Sequence, residues 1–122
     1  MNSTEHPEAE VVVELTGCPA EDAHAVFSAL RTSFAGDRPA DDVPHEVVAG
    51  RPTVWTATFD VSEQRAVPGP MRLTAPVTVD LQGGYRAVAQ LQDSLASAFV
   101  VEVVGMAAGD QEQETQLRLR NR

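Results

Sequence analysis

The chain has 122 residues, 43% of them apolar, and carries 18 Asp and Glu against nine basic residues, for a formal charge of -9. This length supports one domain around a single hydrophobic core and is too short for two. Nucleic-acid affinity depends mainly on neutralising phosphates with Lys and Arg, so the acidic balance predicts that DNA and RNA are not partners.

Two functional classes are disfavoured by the segments that the sequence lacks. It has no apolar stretch long enough to span a bilayer, and its start, MNSTEHPEAE, lacks the basic and apolar parts of a secretory signal. We therefore expect a cytoplasmic protein without membrane contact. A single cysteine, Cys18, excludes an internal disulfide and a multi-cysteine metal centre. His6, His24 and His45 have no zinc-binding spacing, so neither a metal nor any other cofactor is predicted.

Two stretches of the chain repeat one pattern. VVVELTG (residues 11–17) and VTVDLQG (residues 77–83) each place valine, any residue, valine, a carboxylate, leucine, a polar residue and glycine in that order. The alternation of apolar and polar residues predicts two strands, and helical spacing follows each of them. Duplication and two independent solutions to one physical problem both remain open as explanations.

The remaining elements follow in chain order. Residues 1–9 are polar and aperiodic, which predicts a disordered N-terminal arm before a single α+β domain over residues 10–122. The domain is expected to begin with a strand over 10–16 and a helix from Pro19 to about Gly36. A loop over 37–50 follows, in which Glu46–Ala49 alternatively forms an edge strand. Strands over 53–61 and 71–81, a helix with the apolar stripe Ala87 to Ala98, and a strand over 99–104 come next. Pro76 marks either a bulge or the true start of its strand. Leu117 and Leu119 alternate with arginines, which predicts a fifth strand at the C-terminal edge of the sheet.

This order predicts a ferredoxin-like βαββαβ sandwich, in which two helices cover one face of an antiparallel sheet. In that topology the two repeated stretches are the central strands, and they run parallel to each other. The other face of the sheet has no helices over it.

The uncovered face is the predicted ligand or partner face. Its residues are Val12, Glu14, Thr56, Thr58, Asp60, Thr78, Asp80 and Glu102. Glu14 and Asp80 occupy equivalent positions on neighbouring strands, so their carboxylates would either hold a cation weakly or keep the face solvated. Valine and threonine mixed with carboxylates are also typical of interaction surfaces, which favours a homodimer formed sheet to sheet.

Two further features have both a functional and a plain structural interpretation. Cys18 stands at a helix start, where N–H groups lower a thiol pKa, but Glu21 and Asp22 oppose a thiolate and favour an inert residue. The turn Gly83 to Arg86 would either present backbone N–H groups to an anion or simply connect a strand to a helix.

Two functions from different classes fit these patterns. The first, which we favour, is a non-catalytic interaction domain, homodimeric, whose acidic surface meets a basic protein or a small cationic ligand, as an inhibitor of a basic nuclease would. The second is a small ferredoxin-like enzyme that acts on a compact organic substrate between sheet and helices, with Glu14, Asp80 or His24 as acid or base. An enzyme would bury a carboxylate beside a closed cavity, whereas an interaction domain would show an open face.

Overall fold

A computed structural model describes residues 7–36 and 54–122 of the chain. These residues form two α-helices and six β-strands, preceded by a short 3-10 helix. In chain order the elements are the 3-10 helix Pro7–Ala9, β1 (Glu10–Thr16), α1 (Ala20–Ser33), β2 (Ala35–Gly36), β3 (Val54–Asp60), β4 (Val77–Gly84), α2 (Tyr85–Ala98), β5 (Val100–Ala108) and β6 (Glu112–Arg120). The predicted α+β class is confirmed, with more strands than the sequence indicated.

The six strands form one antiparallel sheet with the order β2-β3-β1-β4-β6-β5. The repeated stretches lie in β1 and β4, which are central neighbours as predicted, but these strands run antiparallel rather than parallel. β6 lies between β4 and β5, so the prediction that the C-terminal strand is an edge strand is wrong. The ferredoxin-like strand order is not confirmed.

An approximate twofold axis relates the two halves of the described chain. Each half is a strand, a helix and two further strands, and in each half the last strand lies between the other two. Glu14 pairs directly with Asp80 across β1 and β4, and these two carboxylates are also the equivalent residues of the repeated stretches. The axis therefore passes between Glu14 and Asp80, and a half-turn about it relates the two repeated stretches.

The two helices contain a second repeat. Each has fourteen residues, and each ends at a phenylalanine in extended conformation. The N–H of Phe34 donates to the carbonyl of Leu30 at 2.8 Å, and the N–H of Phe99 donates to the carbonyl of Leu95 at 2.9 Å. The same local geometry thus ends both helices and turns the chain into the next strand.

Small buried side chains lie where the helices meet. Ser33 Oγ and Ser94 Oγ form a buried hydrogen bond of 2.6 Å. Counted along the two equal helices, the positions equivalent to these serines are Ala98 and Ala29, which are also fully buried. Small buried residues thus occupy both pairs of equivalent helix positions.

The core lies between the helices and the odd-numbered residues of the central strands. Val11, Val13 and Leu15 of β1 are fully buried, and the even-numbered residues between them are half-buried or exposed. The helices contribute buried residues to the same cluster, among them Val26, Phe27, Leu30, Val88, Leu91 and Leu95. Because each buried aliphatic side chain contributes about 1.5–3 kcal/mol, stability is concentrated on this face, and the opposite face is free to carry polar groups.

Residues 61–76 connect the two halves and run past the ends of both helices. The N–H of Arg65 donates to the carbonyl of Ser33 at the end of α1, at 2.8 Å. The N–H of Met71 donates to the carbonyl of Ala98 at the end of α2, at 3.2 Å. The connection therefore satisfies carbonyl groups that the helix ends would otherwise leave without partners.

The end of this connection is held by Asp22 in the first turn of α1. Asp22 is 1% exposed, and its carboxylate accepts hydrogen bonds from the N–H and the hydroxyl of Thr74 at 2.9 and 2.7 Å.

The strand predicted over 71–81 begins only at Val77, so Pro76 marks the true strand start.

Three further predictions concern the ends of the described segments. The arm predicted over residues 1–9 has its last three residues in the 3-10 helix, and the carbonyl of Ala9 accepts from the N–H of Val61 at 2.9 Å. Residues 1–6, and the loop over 37–50 with its alternative strand Glu46–Ala49, lie outside the described residues. Neither helix in the described segments is long and apolar enough to cross a membrane.

Candidate functional site

The open face is the side of the sheet opposite the helices, formed by the even-numbered residues of β1, β3, β4 and β6 and by the residues of β5 beside them. The structure places every residue of the predicted partner face on it: Val12, Glu14, Thr56, Thr58, Asp60, Thr78, Asp80 and Glu102. The backbone pairing of β1, β3 and β4 brings most of them together. Glu102 lies farther out on β5, because β6 separates β5 from β4.

The centre of the open face is a row of four directly paired residues. Thr56 pairs with Glu14, Glu14 with Asp80, and Asp80 with Gln116 of β6. Gln116 Nε2 donates to Asp80 Oδ1 at 3.1 Å, and both Glu14 and Asp80 are half-buried. One central carboxylate is therefore fixed by an amide, and its neighbour lies beside it across the axis.

Acidic residues outnumber basic ones on this face. The described strands place on it Glu10, Glu14, Asp60, Asp80, Glu102, Glu112 and Glu114. The two arginines that these strands add, Arg118 and Arg120, both lie on β6. The potential over the centre of the face is consequently negative.

A depression of about 440 Å³ lies over Glu14, Asp80 and Gln116 of the central row and extends to β5. Glu14, Asp80 and Glu114 line it with carboxylates, and Val12 and Ala107 add apolar surface. It is open to solvent along the sheet, so its mixed lining suits a side chain of a partner better than a fully enclosed small molecule.

The donor set does not favour the cation alternative. Within residues 7–36 and 54–122, no group of three or more His, Cys, Asp and Glu side chains is arranged to hold a metal ion. Asp80 directs one oxygen to Gln116 instead. Glu14 and Asp80 are two adjacent acidic side chains, one of which has an amide partner.

Cys18 lies away from the open face, at the start of α1. It is 8% exposed, and its carbonyl accepts from Trp55 Nε1 at 3.3 Å. Burial raises the pKa of the Cys18 thiol, and the nearby Asp22 carboxylate raises it further. Both effects favour the neutral thiol, in line with the interpretation of Cys18 as an inert residue.

The other residues considered from the sequence do not join the central row. His24 is exposed on α1, so the sheet separates it from Glu14 and Asp80. The turn predicted from Gly83 to Arg86 is wrong, because β4 runs to Gly84 and α2 begins directly at Tyr85. This junction borders a second depression of about 310 Å³, where Arg86 is accompanied by Glu8, whose carboxylate opposes an anion.

Sequence reasoning missed the contribution of β6. Glu114, Gln116 and Arg118 lie beside β4 and complete the open face. Their signal is the alternation in EQETQLRLR, in which all the charged residues and Gln116 share one side, opposite Leu117 and Leu119. They were missed because β6 was expected at the edge of the sheet, away from Asp80.

Comparisons with known proteins give no match. No protein-family model, no curated protein and no solved structure matches this chain.

Proposed function

We propose that this protein is a non-catalytic interaction domain whose open face binds a basic protein. The observation that supports it best is the open depression over Glu14, Asp80 and Glu114, in which carboxylates alternate with apolar groups. Complementary charge would steer a basic partner to this face, and the apolar groups would add contact area.

Two features favour binding over the alternative of a small enzyme acting on a compact organic substrate. The buried carboxylate that an enzyme would place beside a cavity is here Asp22, and both of its oxygens bond to Thr74 in a structural contact. Of the three groups considered as acid or base, His24 also lies apart, since it is on the helix side and Glu14 and Asp80 are on the other.

A homodimer formed by two open faces remains a prediction of the sequence, as does a cytoplasmic location. Such a dimer would bring Glu14, Asp80 and Glu114 against their own copies, where like charges repel. A basic partner brings the opposite charge to the same residues, and for that reason we assign the open face to it.

The test compares two variants with the same change in net charge. Glu14→Gln with Asp80→Asn and Glu114→Gln neutralises the open face, and Glu21→Gln with Glu63→Gln and Asp93→Asn neutralises exposed acids elsewhere. The probe is a fluorescein-labelled oligolysine peptide, followed by fluorescence anisotropy. An exposed ion pair contributes about 0.2–1 kcal/mol, so three pairs predict a Kd roughly tenfold higher for the open-face variant.

The control variant should bind the peptide nearly as the wild type does, and added salt should weaken all three complexes. Equal losses of affinity in the two variants would show that the peptide responds to net charge alone. That result would contradict the assignment of binding to the open face.

A further inference from the structure

β5 is the edge strand beyond β6, and it is exposed along most of its length. It has nine residues, against five or six in an average strand, and no described strand pairs with its outer side. Val103, Val104 and Met106 are 46%, 55% and 62% exposed. β5 therefore combines unpaired backbone groups with an exposed apolar surface.

The usual protection of an edge strand is weak here. Natural edge strands are protected by charged side chains, proline, bulges or short length. β5 has no proline and one charged residue, Glu102, which lies opposite Arg118 of β6. A single irregularity falls between Val103 and Gly105, and regular pairing with β6 continues on both sides of it.

We propose that β5 pairs with β5 of a second copy of this chain, antiparallel and edge to edge, so that the two sheets join across a twofold axis. Within one copy, Val101 and Met106 lie on the helix side of β5, whereas Glu102 and Gly105 lie on the open face. In an antiparallel pair in which Val103 lies opposite the partner's Val104, Val101 lies opposite the partner's Met106 and Glu102 lies opposite the partner's Gly105. Apolar side chains then meet each other, and no carboxylate faces a carboxylate.

Charge also favours a second copy at this strand. With a formal charge of -9, two copies repel over most of their surface, so they associate best where acids are few. At β5, Val100 lies opposite Arg120 and Glu102 opposite Arg118, so arginines offset the one carboxylate of the strand. A self-complementary strand forms the same contacts from both sides, as a closed twofold dimer requires.

This contact differs from the one proposed for the open face, although Gly105, Met106 and Ala107 of β5 border the depression. Edge pairing uses the outer backbone of β5, and Glu14 and Asp80 lie three strands and two strands away from it. Both open faces stay accessible and become parts of one wider surface. Failure of oligolysine binding would leave the edge contact in place, and loss of the edge contact would leave a monomer that keeps the carboxylates of Glu14, Asp80 and Glu114.

The first experiment measures mass in solution by sedimentation over a range of concentrations. We expect a wild-type dimer that Val104→Lys with Met106→Lys converts to a monomer, because charged side chains on an edge strand oppose pairing. Val67→Lys with Ala89→Lys makes the same charge change at exposed residues outside β5 and should leave the dimer intact. Circular dichroism checks that both variants are folded.

The second experiment measures amide hydrogen exchange in β5 of the wild-type protein. Its outward N–H groups should gain protection as the concentration rises, and should exchange freely when the chain is diluted to monomer. The open-face variant Glu14→Gln with Asp80→Asn and Glu114→Gln should remain a dimer.

Three results would overturn the proposal. One is a wild-type protein that is monomeric at all concentrations. This result would overturn the proposal even if β5 paired with a strand of a different protein. Another is a dimer that survives Val104→Lys with Met106→Lys and leaves β5 amides unprotected. The third is a dimer abolished by the open-face variant, which would place the interface on the open face.

Discussion

At the scale of single residues, Asp22 and Cys18 show how one buried charge affects its neighbourhood. Asp22 fixes Thr74 through two hydrogen bonds, and its charge acts together with burial to raise the pKa of Cys18. The folded state consequently prefers the neutral thiol. This preference makes the stability of the protein depend on pH.

The pH dependence can be isolated with Cys18→Ala. Above about pH 8.5, the ordinary cysteine pKa, the thiol ionises in the unfolded state while it stays protonated in the folded state. The contribution of Cys18 to the free energy of unfolding is therefore fully present below this pH and is lost as the pH rises above it. Over the next pH unit, the wild type should lose up to about 1.4 kcal/mol more of its unfolding free energy than Cys18→Ala. Urea unfolding at a series of pH values measures this difference.

The composition of the chain makes this test clean. All nine basic side chains are Arg, so no Lys titrates in the window, and there is one Tyr. Curves of unfolding free energy against pH that run parallel for wild type and Cys18→Ala would refute the expected pH effect.

At the scale of elements, the two glycines that end the repeated stretches serve different purposes. Gly17 has φ of +77°, a conformation that side chains disfavour, and it ends β1. Gly83 lies within β4, which continues through Gly84. A Cβ at Gly83 would stand 2.7 Å from the carbonyl oxygen of Glu10, so this glycine permits close backbone approach.

Gly83→Ala should therefore destabilise the protein. The new methyl group would press on backbone in the central strand pair, and overpacking of this kind typically costs about 1–3 kcal/mol. Gly69→Ala is the control, because a Cβ there meets nothing within 4 Å, and it should be neutral or stabilise by about 0.4–1 kcal/mol. Thermal or urea unfolding compares the two, and equal stability would contradict the close approach.

The sequence located β1 and β4 but could not establish their direction. Alternation of Val11, Val13 and Leu15 with more polar residues follows from burial on one face, which is a local property and is readable from the chain. A repeated stretch is equally compatible with translation and with rotation, and only the pairing of Glu14 with Asp80 distinguishes them.

The position of β6 was misjudged for a similar reason. Arg118 and Arg120 are typical of an exposed edge, yet Leu117 and Leu119, which alternate with them, are fully buried. An internal strand tolerates arginines when one sheet face is open to solvent, so composition alone could not separate the two positions. Glu114 and Gln116 were consequently missing from the predicted site, although Glu14 and Asp80 were identified.

At the scale of the whole molecule, the two halves are joined through β1 with β4 and through α1 with α2. The helix contact contains the hydrogen bond between Ser33 and Ser94, while the equivalent positions are alanines. The approximate symmetry thus holds for the size of the side chains and not for their polarity.

This difference predicts non-additive stability effects. Ser33→Ala or Ser94→Ala alone leaves one buried hydroxyl without its partner and should cost about 1 kcal/mol. The double variant removes both hydroxyls and makes the contact alanine on both sides, so it should cost less than the sum of the single variants. A double-mutant cycle of unfolding free energies measures the coupling, and strict additivity would exclude it.

The twofold axis also affects the orientation in which a partner binds. A lysine held between Glu14 and Asp80 would meet nearly the same backbone after a half-turn, so the backbone of the central strands cannot distinguish the two orientations. The flanking strands can, because Thr58 beside Val12 on β3 corresponds to Arg118 beside Thr78 on β6. The orientation of a bound partner is therefore set by side chains, because the backbone of the open face is nearly the same after a half-turn.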